Sequence, residues 1–175
     1  MSPRVVLVGP PGAGKTTVAA ILARRLGVAA RDTDADVEAA QGVSVQDLFV
    51  THGEDRFRSL EADAVRTALA EHDGVLSLGG GAVLDPGTRR ALAGHPVVFL
   101  DVDLAHVTQR VGMGAGRPLL LGNVRATMRT LLQERRPAYE EVATIRVATD
   151  DLTPDQVADA VLERLTPPSR PKENS

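Results

Sequence analysis

Hydrophobic and polar positions along the chain follow two alternating patterns. Short runs in which nearly every residue is apolar are separated by longer stretches with apolar residues every three or four positions. Short uninterrupted apolar runs indicate strands buried on both faces of a sheet, and the longer spacing indicates amphipathic helices. The predicted strands are Val5–Val8, Val28–Ala30, Val75–Leu78, Val97–Leu100 and Ala143–Ala148.

Helices are predicted between these strands. An Ala- and Leu-rich stretch over Val18–Leu26 stops at Gly27, a residue typical of the position after a helix. An apolar stripe runs through Glu54–Glu71, and Thr153–Asp155 has the residues of a helix N-terminus. Strands that alternate with helices predict a three-layer α/β/α fold, in which helices flank a central parallel sheet of about five strands.

Composition is typical of one soluble domain, expected over residues 1–166, with residues 167–175 as a disordered tail. A net charge of −3 and an aromatic content of 2% argue against nucleic-acid or membrane partners. The absence of cysteine excludes disulfides and thiolate metal sites. We expect a cytoplasmic protein, because neither a signal peptide nor a membrane-spanning apolar run is seen. We also expect a monomer, because no sizeable exposed apolar stripe is evident.

Residues 9–16, directly after the first predicted strand, read Gly-Pro-Pro-Gly-Ala-Gly-Lys-Thr. This is the pattern G-x-x-x-x-G-K-[ST] of a phosphate-binding loop, or else a Gly-Pro-rich turn that happens to fit it. Glycines allow several backbone N–H groups to point at phosphate oxygens. Lys15 brings a positive charge to the β- and γ-phosphates, and Thr16 offers a hydroxyl to Mg²⁺. The loop therefore predicts a nucleoside triphosphate site.

Two groups of carboxylates follow predicted strands. Asp32 and Asp34 lie where the carboxyl ends of parallel strands approach the phosphate loop. We expect Asp32 to support Mg²⁺ and Asp34 to orient or deprotonate an attacking hydroxyl, with helix capping by Asp34 as the alternative. Asp101 follows Val97–Leu100 and fits the Mg²⁺-associated aspartate of an ATPase, but we favour capping of the next helix.

Three further segments carry residues suited to a ligand. Gly79–Gly81 follows a predicted strand and lets a ligand touch the backbone, unless it is only a tight turn. Arg58 and Glu61 are three residues apart on a predicted helix, so Glu61 can orient the guanidinium, unless the two form only a surface ion pair. A glycine-rich segment with the single arginine Arg117 suits a mobile lid better than a plain surface loop.

These motifs closely resemble those of the shikimate kinase family over residues 3–165. Their order and spacing carry the resemblance, through Gly9–Thr16, Asp32-x-Asp34, Phe57-Arg58-x-x-Glu61, Gly79–Gly81, Arg117-Pro118-Leu119-Leu120 and Arg135-x-Pro137-x-Tyr139. The resemblance implies a nucleoside-monophosphate-kinase-like P-loop fold. It also implies transfer of the γ-phosphate of ATP to the 3-hydroxyl of shikimate, with Mg²⁺ as cofactor, in aromatic amino-acid biosynthesis. A kinase for another small polyol acid such as gluconate, and a non-catalytic ATP-binding module, are the alternatives.

The resemblance implies roles for individual residues as well. It implies a substrate-binding segment at about 33–61 and a lid at about 112–124. The catalytic residues would be Lys15, Asp34 and Arg117, and Thr16 and Asp32 would hold Mg²⁺. The substrate-binding residues would be Asp34, Phe49, Phe57, Arg58, Glu61, Gly79, Gly80, Gly81 and Arg135. The nucleotide-binding residues would be Gly12, Ala13, Gly14, Lys15, Thr16, Thr17, Arg110, Arg117 and Pro154.

Three positions leave alternatives open. Arg135 and Arg136 are adjacent, and we choose Arg135 for the substrate carboxylate because the family pattern R-x-P-x-Y then ends at Tyr139. Phe49 and Phe57 would form a wall against the carbocycle, or else only pack in the core. The loop 149–154 lacks an arginine that some family members place on the adenine side.

Overall fold

A computed structural model of the protein describes residues 2–106 and 124–165. Five parallel strands form one sheet in the order β2-β3-β1-β4-β5. The predicted lid, apart from Val124, lies outside the described residues, as do Arg110, Arg117 and the predicted tail. The strands are β1 (Val5–Val8), β2 (Ala30–Asp32), β3 (Val75–Ser77), β4 (Val97–Asp101) and β5 (Ile145–Ala148).

Helices connect the strands and cover both faces of the sheet. The left-handed C-cap of the first helix is Gly27, at φ 67°, as its position in the sequence predicts. Thr153 Oγ1 accepts a hydrogen bond from the N–H of Gln156, whose side chain accepts one from the N–H of Thr153. The helices are α1 (Lys15–Leu26), α2 (Thr33–Gln41), α3 (Val45–Glu71), α4 (Pro86–Ala91), α5 (Val124–Val142) and α6 (Pro154–Leu165), with a 3₁₀ turn at Ala82–Leu84.

The sheet separates two hydrophobic cores, because successive strand residues point to opposite faces. Val5 and Leu7 of β1 pack with side chains of α1 and α6. Val6 and Val8 pack on the other face, with side chains of α3 and with Tyr139 of α5. The predicted three-layer α/β/α arrangement is therefore confirmed.

The edge strand β2 differs from the expected apolar run. The ladder pairs Ala30 with Val75 and Asp32 with Ser77, so β2 begins two residues after the predicted Val28. Val28 instead packs against the core that contains α1. An edge strand has only one neighbouring strand, and the side chains of β2 are exposed or half-buried. The apolar run therefore predicted a strand in this region but placed it wrongly.

Helix α3 is longer than the predicted Glu54–Glu71 and begins at Val45, with Ser44 as its N-cap. Gly53 interrupts it at φ 79° and ψ 169°, outside helical geometry, so the predicted stretch is the arm that follows the kink. The kink separates a short arm that bears Phe49 from a long arm that bears Arg58 and Glu61. Within the described ranges, no helix has the length and apolarity needed to cross a membrane.

Candidate active site

The phosphate loop leads from the carboxyl end of β1 into α1. Gly14 has φ 88°, a left-handed conformation that residues with a side chain rarely adopt, and it is the N-cap of α1. A cavity of about 450 Å³ opens over the loop, and Asp32, Asp34 and Gly80 are among the residues that line it. The loop and the start of α1 contribute Pro11, Gly12, Gly14, Lys15, Thr16 and Thr17 to its lining. Ala13 is buried, and its N–H donates to Pro10 O.

The Lys15 ammonium lies at the centre of the loop. Its Nζ donates hydrogen bonds to Gly9 O at 2.7 Å and to Pro10 O at 3.0 Å. Burial lowers the pKa of Lys15 to about 8, and the nearby Asp34 and Asp32 carboxylates limit the fall. Lys15 therefore remains mostly protonated at neutral pH, with its charge beside the cavity.

Asp32 joins the phosphate loop to α2 through its two carboxylate oxygens. Oδ1 caps α2 by accepting from the N–H groups of Asp34 and Ala35, at 2.8 and 3.4 Å. Oδ2 accepts from the Thr16 hydroxyl at 3.3 Å. The capping role considered for Asp34 thus belongs to Asp32, which leaves the Asp34 side chain free of that function.

The Asp34 carboxylate lies beside the cavity with an unsatisfied oxygen. Asp34 Oδ1 is buried and has no hydrogen-bond partner among the described residues. Burial raises the pKa of Asp34 to about 6, and the Glu61 and Asp32 carboxylates add to the rise while Lys15 opposes it. A buried acceptor without a donor favours a ligand hydroxyl at this position.

Glu61 orients Arg58. The Arg58 Nη1 atom donates to Glu61 Oε1 at 2.8 Å, and Glu61 is only 3% exposed. Burial raises the pKa of Glu61, although the hydrogen bond and charge of Arg58 oppose the rise. The pair is therefore not the surface ion pair that was the alternative.

The three glycines after β3 allow the charged side chains to converge. A Cβ atom on Gly79 would lie 2.6 Å from Asp34 Oδ1 and 2.8 Å from Glu61 Oε2. On Gly81 it would lie 2.4 Å from both terminal nitrogens of Arg58. On Gly80 it would lie 2.9 Å from Pro11 and 3.3 Å from Arg135 Nη1. Because side chains here would displace the site residues, this segment is more than a tight turn.

Arg135 and Arg136 diverge although they are adjacent on α5. Arg135 approaches Gly80 and lies near enough to Lys15 and Glu61 to influence the pKa of each. Arg136 instead binds Asp101, from Nη1 to Oδ2 at 3.0 Å and from Nη2 to Oδ1 at 2.8 Å. The structure thus places Arg135 beside the glycine segment and ties Arg136 to β4.

Both readings of Asp101 from the sequence are wrong. The carboxylate is buried in an ion-pair cluster with Arg136 and Arg146 rather than capping a helix or facing the phosphate loop. Asp103 is the residue that caps the next helical turn, through the N–H of His106. Burial alone would raise the pKa of Asp101, but the hydrogen bonds from the two arginines hold it below its usual range.

Phe49 and Phe57 belong to a small separate core, so the packing considered as the alternative is present in the fold. Their ring centroids are 4.7 Å apart, and Phe57 packs with Val37 and Leu48. The Arg58 guanidinium carbon lies 5.3 Å from the Phe57 centroid and 6.0 Å from that of Phe49. The two rings therefore support Arg58 as well as packing together.

The adenine side is the least complete part of the predicted site. Pro154 is the first residue of α6, and the preceding loop contains Asp151 at φ 62°. Leu152 of this loop packs against the core that contains α1. No described contact joins Pro154 to the phosphate loop, and Arg110 and Arg117 lie outside the described residues.

A second cavity, of about 470 Å³, lies elsewhere on the molecule, against Arg89, Arg90, His95 and Glu141. Its lining includes His95, two residues before β4, and Thr144, one residue before β5, so it lies at the amino ends of the strands. Ligands of open α/β sheets bind at the carboxyl ends. The cavity over the phosphate loop is therefore the candidate active site.

Tyr139 makes contacts beside the site that the sequence did not predict, although it is the last residue of the motif Arg135-x-Pro137-x-Tyr139. Its hydroxyl donates to Gly80 O, and its ring stacks on Phe99 with centroids 5.1 Å apart. Burial raises the pKa of Tyr139 to about 12, so the hydroxyl keeps its proton as a donor. The partner of that hydroxyl lies 59 positions away and leaves no local signal.

Comparisons with known proteins agree with this geometry. The family model described as "Shikimate kinase" matches residues 11–166. The chain is similar to the shikimate kinase of Saccharopolyspora erythraea, with 56% identity over 95% of each chain. It is 55% identical to that of Streptomyces avermitilis, over 93% of this chain and 95% of the relative.

Solved structures give the same result. The structure titled "Shikimate kinase from Acinetobacter baumannii in complex with shikimate" superimposes with a TM-score of 0.87 and 33% identity. The match covers 94% of this chain and 93% of that one. The matches in sequence and in fold extend along nearly the whole chain, and they agree with the charged residues gathered beside the phosphate loop. This protein therefore belongs to the shikimate kinase family.

Proposed function

We propose that this protein transfers the γ-phosphoryl group of ATP to the 3-hydroxyl of shikimate, giving shikimate 3-phosphate and ADP. The observation that carries the proposal is the convergence on Gly79–Gly81 of a carboxylate, Asp34, and two guanidiniums, Arg58 and Arg135. A small polyol acid has hydroxyls at one end and a carboxylate at the other, and these groups match an acceptor and two cationic donors. Family membership supports the same substrate.

Asp34 acts on the attacking hydroxyl. Its unsatisfied Oδ1 accepts the hydrogen bond of the 3-hydroxyl, and a pKa of about 6 leaves it ionised at neutral pH and able to take the proton. The hydroxyl oxygen forms a bond to the γ-phosphorus as the bond from that phosphorus to the β,γ-bridging oxygen breaks. The proton passes to Asp34, and the bridging oxygen leaves with ADP.

Arg58 and Arg135 bind the substrate carboxylate and so fix the ring relative to Asp34. Glu61 holds Arg58 in a defined orientation through a 2.8 Å hydrogen bond. Arg135 hydrogen-bonds the neutral Tyr139 hydroxyl, and none of the ion pairs of the described residues includes it, so its charge can pair with a ligand anion. Holding the acceptor in a reactive geometry accounts for a large part of the acceleration in phosphoryl transfer.

Lys15 stabilises negative charge on the transferring phosphoryl group, together with the predicted lid residue Arg117. The N–H groups of the phosphate loop and the N-terminus of α1 add to this positive field. The predicted roles of Arg110 and Pro154 on the adenine side remain proposals that rest on the resemblance.

Mg²⁺ fits the residues next to Lys15. Thr16 offers a hydroxyl oxygen, and Asp32 Oδ2 lies 3.3 Å from it with no capping role of its own. Oxygen ligands of this kind suit Mg²⁺, which keeps several waters and is held by one or two protein groups. When bound, the ion would neutralise charge on the β- and γ-phosphates.

An assay of ADP release tests the function. Shikimate, gluconate, nucleoside monophosphates and a blank without acceptor are compared in the presence of ATP and Mg²⁺. We expect turnover with shikimate far above every other condition. Preferred turnover of gluconate would assign another polyol acid as substrate, and absence of acceptor-dependent ADP would leave an ATP-binding module. A Lys15→Met variant controls for contaminating ATPases.

We also propose that the protein acts as a cytoplasmic monomer, with a single domain over residues 1–166 and a lid at about 112–124. Of the large hydrophobic side chains that the structure describes, only Val43, Val50 and Leu84 are clearly exposed. Light scattering coupled to size-exclusion chromatography tests the monomer. A stable dimer mass would contradict it.

A further inference from the structure

The ion-pair cluster around Asp101 lies outside the cavity but is connected to it through one helix. Asp101 and Phe99 are two residues apart on β4, so their side chains lie on the same face of the sheet. Arg136 and Tyr139 are three residues apart on α5, so they share one side of the helix. These two faces meet, since Arg136 binds Asp101 and Tyr139 stacks on Phe99.

The contact between these faces ties α5 to β4 at a defined point. Arg136 binds Asp101 through two parallel hydrogen bonds, and its guanidinium carbon lies 5.8 Å from the Phe99 ring centroid. A two-point contact of this kind fixes direction as well as distance. Successive residues of an α-helix are about 100° apart around the axis. With Arg136 held on β4, Arg135 is turned away from that strand and towards Gly80.

We propose that Asp101 is a positioning residue for acceptor binding: through Arg136 it fixes the rotation of α5 that places Arg135 beside the glycine segment. The inference rests on the proposed role of Arg135 in binding the substrate carboxylate. Arg146 of β5 binds the same Asp101 carboxylate, with 2.7 Å between its Nε and Oδ2, and none of its described hydrogen bonds or ion pairs is to a residue of α5. It therefore provides a matched control for loss of a cation from the cluster.

The test measures the dissociation constants of shikimate and ADP for Arg136→Gln, Asp101→Asn and Arg146→Gln. We expect Arg136→Gln and Asp101→Asn to weaken shikimate binding on the order of tenfold through a displaced Arg135, and to leave ADP binding nearly unchanged. Arg146→Gln should have little effect on either ligand. If Arg146→Gln weakens shikimate binding as much as Arg136→Gln does, the cluster acts through general stability and the proposal fails.

A double-mutant cycle with Arg135→Ala separates positioning from stability. In the Arg135→Ala background, Arg136→Gln should cause no further loss of shikimate affinity, although it still lowers the melting temperature. An equal loss in both backgrounds would overturn the inference. Arg135→Ala alone tests the carboxylate contact, so wild-type shikimate affinity in that variant would refute the proposed role of Arg135 itself. Should Asp101→Asn fail to fold, the Arg136→Gln cycle still decides.

Discussion

The site has two halves, one that faces the phosphates and one that faces the acceptor. They differ in the number of chain segments that form them. The phosphate side comes mainly from one continuous strand, loop and helix, with Lys15 and Thr16 at the start of α1. The acceptor side combines Asp34 of α2, Arg58 and Glu61 of α3, Gly79–Gly81 and Arg135 of α5.

This difference has a physical consequence. The phosphate loop needs only its own backbone conformation and the dipole of α1, so local residues determine its chemistry. The acceptor side needs four elements to pack at the correct distances around glycines that leave no room for a side chain. Acceptor binding should therefore be sensitive to small changes in the packing of these elements, whereas phosphate binding should tolerate them.

Neutralising Asp34 should give the largest effect, because it disables the acceptor side and leaves the phosphate loop intact. We expect Asp34→Asn to lower turnover by about 10²- to 10⁴-fold, the usual contribution of a positioned proton acceptor, while ATP affinity stays close to that of the wild type. Steady-state kinetics and ATP titration measure the two. Asp36→Asn on the same helix is the control, since Asp36 pairs with Arg31 away from the cavity. Near-normal turnover in Asp34→Asn would exclude it as base or orienting group.

Removing Arg58 should weaken acceptor binding selectively. Arg58→Ala is expected to raise the KM for shikimate about 10- to 100-fold, the range for loss of a charged hydrogen-bonding partner, with little change in the KM for ATP. Arg66→Ala is a matched control because Arg66 lies on the same helix, is exposed and pairs with Asp63. An unchanged KM for shikimate in Arg58→Ala would remove its role as a carboxylate contact.

The pH dependence should separate the two sides. Asp34 must lose its proton to act as a base, so kcat/KM should rise with pH up to about 6, by up to about tenfold per pH unit. Lys15 must keep its proton, so the rate should fall as pH rises above about 8. The residual activity of Asp34→Asn should lack the acid limb and retain the alkaline limb. If the acid limb persists in this variant, the titrating group is a residue other than Asp34.

The Asp34 carboxylate should also lower the stability of the fold at pH 7, and this is the smallest expected effect. Burial raises its pKa from 3.8 to about 6, so between these pH values the folded protein holds a proton that the unfolded chain has lost. Stability therefore falls as pH rises through this window, and the penalty is fully present at pH 7. Asp34→Asn should raise the free energy of unfolding at pH 7 on the order of 1 kcal/mol, allowing for solvent screening, and give no gain at pH 4. Thermal unfolding at both pH values measures this, and a lower melting temperature at pH 7 would contradict it.

Local signals accounted for much of the fold. Four of the five strands overlap their predicted positions closely, since most of the residues in each of them are apolar. The edge strand β2 was displaced because its ladder partner, not its hydrophobicity, decides where it pairs. The N-terminus of α6 and the C-cap of α1 were predictable because capping depends on neighbouring residues alone.

The sequence by itself determined the phosphate loop, the layer architecture and the identity of the residues available to the acceptor side. The family pattern favoured Arg135 over Arg136, but only the tertiary structure decided that Arg135 approaches Gly80 while Arg136 binds Asp101. The physical reason is distance along the chain: Asp101 pairs with arginines 35 and 45 positions away. A helix presents adjacent residues in different directions, and the packing of α5 against β4 selects which one faces the ligand.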